Sequence, residues 1–339
     1  MKFEKYCLCL PFSVMIILLA MWTNSARSQI SSPDISTDTF HVTLTRSIPL
    51  SDKTYELHLI ETRDDVYTAI GIRKPEGVGP FPVILMSTYS GHDGIRRIDR
   101  EMYRTELMME RMLARGYAVA YANERNEVVD AYNEIEPLRA HDVPRLDLGG
   151  GARWSKLTPT LDSDDYISIV RHLKSLAYVD RVGTVSISHG AELMHKAASV
   201  IGWDAGVAIE CSAIEFLAVD TDKANYSEGE LQLRTVEAVE AVADKALAME
   251  RIRRINMPFL HIGRDDDHLQ GLFRSVYSWA AEAGKDVTWV SYDHSEHGYA
   301  FLYQTENESF TPDAVQEDAF ATWMAFFDRH LQGVNTARP

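Results

Sequence analysis

Residues 182–193, which read Val-Gly-Thr-Val-Ser-Ile-Ser-His-Gly-Ala-Glu-Leu, constrain the fold more than any other segment of the chain. A β-branched run stops at Ser188, and small residues and a helical pattern follow at once, so a strand, a sharp turn and a helix are expected. That context presents a serine hydroxyl at the top of a sheet, as a nucleophile elbow does. At such an elbow the serine backbone is strained, and the residues two before and two after it must be small because strand and helix nearly touch. Gly190 meets the second requirement, whereas Ser186 stands at the first, making the motif S-x-S-x-G rather than G-x-S-x-G. A buried strand entering a helix with an incidental serine would carry the same five residues, so the rest of the chain has to decide.

The first 28 residues place Lys2 and Lys5 before an apolar run over residues 7–22 and end with Ala26 and Ser28 ahead of Gln29. This is the pattern of a secretory signal peptide, residues 1–28, cleaved before Gln29. The alternative is an uncleaved anchor, but the run is short for a span and is interrupted by Pro11 and Ser13. The expectation is therefore an exported protein, secreted or periplasmic, with no stable membrane span after cleavage and a flexible lead-in over residues 29–40. Cleavage removes Cys7 and Cys9, leaving Cys211 alone, so no internal disulfide is expected and stability must come from a core. It also removes three of 34 basic and one of 50 acidic residues, leaving 31 and 49 and a net charge of -18. Acidity this strong disfavours nucleic acid and anionic membrane as partners.

Beyond residue 40 the pattern alternates. Strand-like runs at residues 41–45, 55–60 and 67–73 are separated by turn residues and read as antiparallel. Residues 81–86 form a continuous apolar run, as expected of a strand buried on both faces. A helix over 95–115, a strand at 117–121, an irregular 125–161 segment and a helix over 163–178 lead to the elbow unit at 182–202. Strands at 205–211, 258–263 and 287–292 then alternate with a charge-rich, mostly helical section at 214–256 and a helix at 269–283. Thr311 as N-cap and Pro312 open a last helix to residue 331, and residues 332–339 are a tail. The order predicts an α/β fold over 41–331: a mostly parallel, doubly wound sheet with antiparallel N-terminal strands and a small helical lid or insertion within 214–256. A ligand site belongs at the carboxyl ends of the strands.

Ser188 needs a base, because a free hydroxyl is a poor nucleophile at neutral pH. In this fold an acid and then a histidine follow later strands in the order Ser, Asp, His. After the strand at 258–263 come Asp265, Asp266, Asp267 and His268, and after the last strand come His294 and His297. A solvated acidic loop and ordinary surface histidines are the bland readings, and each is less economical once both fall at strand ends. The backbone N–H of His189, next to the nucleophile at a helix N-terminus, supplies one oxyanion donor. The cluster at 265–268 invites a metal, but His294 and His297 lack zinc-helix spacing, so neither metal nor cofactor is expected.

At these residues the chain resembles the α/β-hydrolase superfamily over residues 41–331. It looks closest to the dienelactone hydrolase, prolyl oligopeptidase and Xaa-Pro dipeptidyl peptidase/cocaine esterase-like group. The resemblance is carried by Gly79-Pro80-Phe81-Pro82-Val83-Ile84-Leu85 leading to Tyr89-Ser90-Gly91, the elbow, Gly263-x-x-Asp266 and His297-Gly298-Tyr299. It implies Ser188 as nucleophile, His297 as base, Asp266 as acid and Tyr89 as a second oxyanion donor through its hydroxyl or a nearby N–H. The implied activity is a serine hydrolase, a carboxylesterase acting on a small-molecule ester. A proline-preferring peptidase acting on peptides is the alternative, and a non-catalytic binding protein on the same fold is the reading from a different class. Ser186 and the Ala122-Asn123-Glu124-Arg125 turn depart from the group's pattern, and no propeller precedes the domain.

Overall fold

In the computed structural model, residues 41–62, 67–88, 94–122, 158–224, 232–304 and 310–333 are described, all within one unit spanning Thr39–Pro339. The leader, the lead-in, Tyr89, most of the 125–161 segment and most of the C-terminal tail lie outside the described residues. Among the described residues, nine strands form one sheet: β1 (His41–Ser47), β2 (Thr54–Glu61), β3 (Tyr67–Arg73), β4 (Phe81–Ser87), β5 (Ala118–Ala122), β6 (Val179–Ile187), β7 (Ala205–Ile209), β8 (Phe259–Arg264) and β9 (Val287–Tyr292). Their order is β1-β2-β3-β5-β4-β6-β7-β8-β9. The pairs β1/β2, β2/β3 and β3/β5 are antiparallel and every later pair is parallel. The expected mostly parallel sheet with an antiparallel start is what forms.

The eight helices described are α1 (Gly94–Arg104), α2 (Glu106–Leu113), α3 (Thr158–Ser175), α4 (Ser188–Ala198), α5 (Val236–Glu240), α6 (Lys245–Arg254), α7 (Gln270–Glu282) and α8 (Ala314–Leu331). They cover both faces of the sheet. Along β4, Val83 and Leu85 join one apolar cluster with α3, α4 and α7, while Ile84 and Met86 join the other with α1, α2 and α8. A strand whose alternate side chains enter two different cores must be apolar throughout, which explains the unbroken run at 81–86.

Three local expectations change. The single helix expected over 95–115 is two, because Thr105 turns its hydroxyl onto the Glu101 carbonyl at 2.6 Å and the chain restarts at Glu106. The last helix is capped by Asp313, not Thr311: Asp313 accepts from Gln316 N–H, and Gln316 Oε1 accepts from Asp313 N–H, a reciprocal capping box. The described part of the 214–256 section is less helical than expected. Phe216, Leu217, Val239 and Ile252 are core residues, while Ile214, Glu215, Val219 and Thr221 face a cavity. Cys211 is buried as a free thiol. Among the described residues no helix is long and apolar enough to cross a membrane.

The sheet order doubles back at β4, whose two neighbours are β5 and β6. The carboxyl ends of β4 and β6 adjoin at this reversal, the usual ligand position in a doubly wound sheet. Thr88 follows β4 there, and Ser188 begins α4 directly after β6.

Candidate active site

The turn from β6 into α4 has the backbone its residues imply. Ile187 is extended at φ -114°, and Ser188 then lies at φ 55°, in the left-handed region that non-glycine residues rarely occupy. The next turn packs on the backbone after β4: Gly190 N–H donates to the Thr88 carbonyl at 2.6 Å. A Cβ on Gly190 would lie 2.6 Å from that oxygen, so only glycine fits. Ser186, the departure from the usual motif, is fully buried and its Oγ lies 2.7 Å from Ser87 Oγ and 3.2 Å from Tyr166 OH. Neighbouring hydroxyls therefore satisfy the polar atom that a glycine would not bring.

A cavity of about 1000 Å³ opens at this point and is lined by Ser188, His189, His297 and Gly298, among others. His297 follows β9, and its Nδ1 lies 3.3 Å from Oε1 of Glu210. Glu210 directly follows β7, is fully buried and has φ 45°. Its carboxylate is held on all sides: Arg264 Nε donates to Oε1 at 2.7 Å and Gly298 N–H donates to Oε2 at 2.5 Å. Hydrogen bonding to Glu210, reinforced by its charge, raises the pKa of His297 against the opposing desolvation.

The expected residues are thus only partly brought together. Ser188, His189 and His297 line one cavity. Tyr89 lies outside the described residues. The carboxylate against His297 is not that of Asp266, which is exposed at φ 58° and whose carbonyl accepts from Arg234 Nη1 at 2.8 Å. Its neighbour Asp267 is buried, caps Leu269 N–H at 2.6 Å and pairs with Arg264 Nη2. Ligand atoms of Glu210, Asp267 and His297 all lie within 4.8 Å of one another, close enough in principle to hold a cation. Arg264, bonded to both carboxylates, already supplies the positive charge there. His294 is engaged elsewhere, with Nε2 3.0 Å from Asp313 Oδ2 and its ring stacked on Tyr299.

Glu210 falls inside the strand expected over 205–211, where it reads as part of an apolar run, so the sequence does not single it out. A lone carboxylate ending Ala-Gly-Val-Ala-Ile at a parallel strand's carboxyl end was the available signal. Glu192 was also missed. It is buried on α4, where Oε1 accepts the N–H groups of Glu215 (2.5 Å) and Phe216 (2.8 Å) and Oε2 accepts from Ser212 Oγ at 3.3 Å. It ties the cavity's 212–216 wall to the elbow helix.

No protein-family model matches the chain, and no curated protein matches it in sequence. Solved structures do match. The acylaminoacyl peptidase of Pyrococcus horikoshii aligns with a TM-score of 0.53 at 18% identity, over 85% of this chain and 43% of that one. Dipeptidyl peptidase 4 of Porphyromonas gingivalis aligns at 0.51 and 20% identity, over 82% of this chain and 35% of that one. An acetyl xylan esterase from Paenibacillus sp. R4 aligns at 0.53 and 16% identity, over 87% of this chain and 90% of that one. The chain therefore spans less than half the length of either peptidase. Strand order, the left-handed serine between β6 and α4 and these alignments together show that the chain has the α/β-hydrolase fold.

Proposed function

We propose that the protein is a serine hydrolase that cleaves carboxylic esters by two-step acyl transfer, with Ser188 as nucleophile, His297 as base and Glu210 as the acid. The observation that carries this reading is the buried Glu210 carboxylate 3.3 Å from Nδ1 of His297, which lines the same cavity as Ser188. With Nδ1–H donated to Glu210, Nε2 is left as the basic nitrogen that takes the serine proton and returns it to the leaving group. Ser188 attacks the ester carbonyl, the alcohol leaves, and water entering by the same route releases the acid. The N–H groups in the first turn of α4 have no intrahelical acceptor, and that of His189 is positioned by sequence to bind the oxyanion. Tyr89 remains the proposed second donor from the resemblance alone.

An ester is the proposed substrate and a peptide the alternative, because an esterase and two peptidases share this fold. Purified protein is expected to hydrolyse p-nitrophenyl acetate or butyrate, with Ser188→Ala abolishing turnover. Turnover of an Xaa-Pro chromogenic peptide in preference to both esters would instead select the peptidase, and absence of any turnover would leave a binding protein. Export is proposed on the N-terminal pattern alone. N-terminal sequencing of the protein recovered outside the cytoplasm should begin at Gln29, and an intact Met1 there would refute cleavage.

A further inference from the structure

Part of the cavity lining is basic, and it is built from one face of α1. Arg97, Glu101 and Arg104 are spaced by four and three residues, so they share a side of the helix. Ile98 and Met102 are buried and hold that helix to the core. Glu101 has no exposed surface, and three guanidinium groups reach its Oε1: Arg104 Nη1 at 3.1 Å, Arg97 Nη2 at 3.3 Å and Arg100 Nε at 3.5 Å. Arg104 is held a second way, with its guanidinium 4.4 Å from the centroid of the Tyr303 ring. Tyr303 comes from the segment that follows His297, so the base side of the fold reaches this arginine.

An arginine stacked on a ring and bonded along one edge has lost most of its rotamer freedom before any ligand arrives. About a third of the Arg104 side chain remains exposed (36%), and Arg97, Arg104 and Tyr303 line the same cavity as Ser188 and His297. Two guanidinium groups lining one cavity also run against the charge of the chain, whose net value is -16. A strongly acidic protein repels anionic ligands at long range, so a fixed basic wall inside its cavity marks where a negative group is received. The lining carboxylates do not compete for that role: Glu192 is bonded to backbone N–H groups, and Glu215 pairs with Lys196 at 2.7 Å.

We propose that Arg104, with Arg97 beside it, binds a carboxylate carried by the substrate, so that the preferred substrates are anionic esters. The inference rests on Ser188 being the nucleophile of this cavity, and it names the substrate class of that site. A planar guanidinium matches a carboxylate with two parallel hydrogen bonds, which a neutral chain of equal length cannot form. The carboxylate belongs either to the acyl part or to the alcohol part of the ester.

The test pairs p-nitrophenyl hexanoate with the mono-p-nitrophenyl ester of adipic acid, and 4-(methoxycarbonyl)phenyl butyrate with 4-carboxyphenyl butyrate. The first pair places the charge on the acyl side and the second on the leaving side. In at least one pair, Arg104→Met should lower kcat/KM for the anionic member roughly tenfold more than for its neutral partner, as loss of a charged hydrogen bond does. Arg104→Lys should recover part of that selectivity, and Arg97→Met provides a second variant if Arg104→Met does not fold. Calorimetric titration of the Ser188→Ala protein with adipate and with 1,6-hexanediol separates this inference from the hydrolase reading. Binding of adipate alone, lost on Arg104→Met, supports the carboxylate site even if no ester is turned over. Equal losses on both members of both pairs, or adipate binding unchanged by Arg104→Met and Arg97→Met, overturns it while leaving the Ser188 chemistry standing.

Discussion

Glu210 Oε1 lies 3.3 Å from His297 Nδ1, although the two residues are 87 positions apart and follow strands β7 and β9 with β8 between them. The carboxylate crosses that interval because Glu210 turns at φ 45° and because Arg264, at the end of β8, holds it from the far side. Asp267 is the third member, bound to the other arm of Arg264.

Replacing the acid should therefore discriminate sharply between neighbours. Glu210→Gln keeps the volume but removes the charge that stabilises the imidazolium, and kcat should fall on the order of 10⁴-fold, as when a triad acid is neutralised. Asp266→Asn, at an exposed residue, should stay within a few-fold of the parent. Asp267→Asn should fall between them, because it acts through Arg264. Steady-state kinetics on one activated ester decides the matter, and a large loss confined to Asp266→Asn would restore the acid at the end of β8.

The pH profile follows from the same contact. Glu210 favours the protonated imidazole, so the pKa of His297 lies above the ordinary histidine value. General-base catalysis needs the neutral form, so kcat/KM should rise with pH through a midpoint above about 6.5. Glu210→Gln should move that midpoint downward, measured on its residual activity. A midpoint that shifts upward, or does not move, contradicts the assignment of Glu210 as His297's partner.

Gly190→Ala should damage both stability and chemistry. The added Cβ would sit 2.6 Å from the Thr88 carbonyl oxygen and 2.8 Å from its carbon, and backbone cannot swing aside as a side-chain end can. Urea unfolding should show a loss of about 1–3 kcal/mol, the usual range for an overpacked core position. Activity should fall further than stability explains, because the displaced segment leads into the loop expected to carry Tyr89. An alanine variant with wild-type stability and turnover would show that the β4–α4 contact is looser than described.

Acid should destabilise the fold through buried histidines that do not line the cavity. Burial lowers the pKa of His195 to about 4 and that of His172 to about 3, the latter with help from His58 and His41. Both groups stay neutral in the fold but gain a proton when unfolded below about pH 6.5, so stability present above that pH is lost as pH falls towards 4. Each such group contributes a slope of up to about 1.4 kcal/mol per pH unit. Urea midpoints at pH 7, 5.5 and 4.5 should decrease in order, and His172→Gln should flatten the trend; a flat parent curve contradicts the burial of these rings in neutral form.

Much of this fold is legible in the sequence because it depends on local pattern. The run at 81–86, the break at Ser188 and the two histidines after β9 are each set by residues a few positions apart. The acid is not of that kind. Asp265, Asp266, Asp267 and Glu210 all stand at strand ends, and which one reaches His297 depends on a left-handed turn and on Arg264 between neighbouring strands. The convergence of Arg97 and Arg104 on the cavity is likewise spatial: α1 and Tyr303 are some two hundred residues apart in the chain. Ser186 is the converse case. As a motif it marks a departure, yet in the fold its hydroxyl joins Ser87 and Tyr166 and leaves the elbow intact.

The claim on which the rest depends is that Ser188 is an activated nucleophile, and covalent labelling tests it most directly. The mature protein should react stoichiometrically with a fluorophosphonate probe, and mass spectrometry of the digest should place the adduct on Ser188. Ser188→Ala should not be labelled, and Glu210→Gln should be labelled far more slowly than the parent. A folded parent protein that takes no label, or an adduct that persists on Ser188→Ala, contradicts the account.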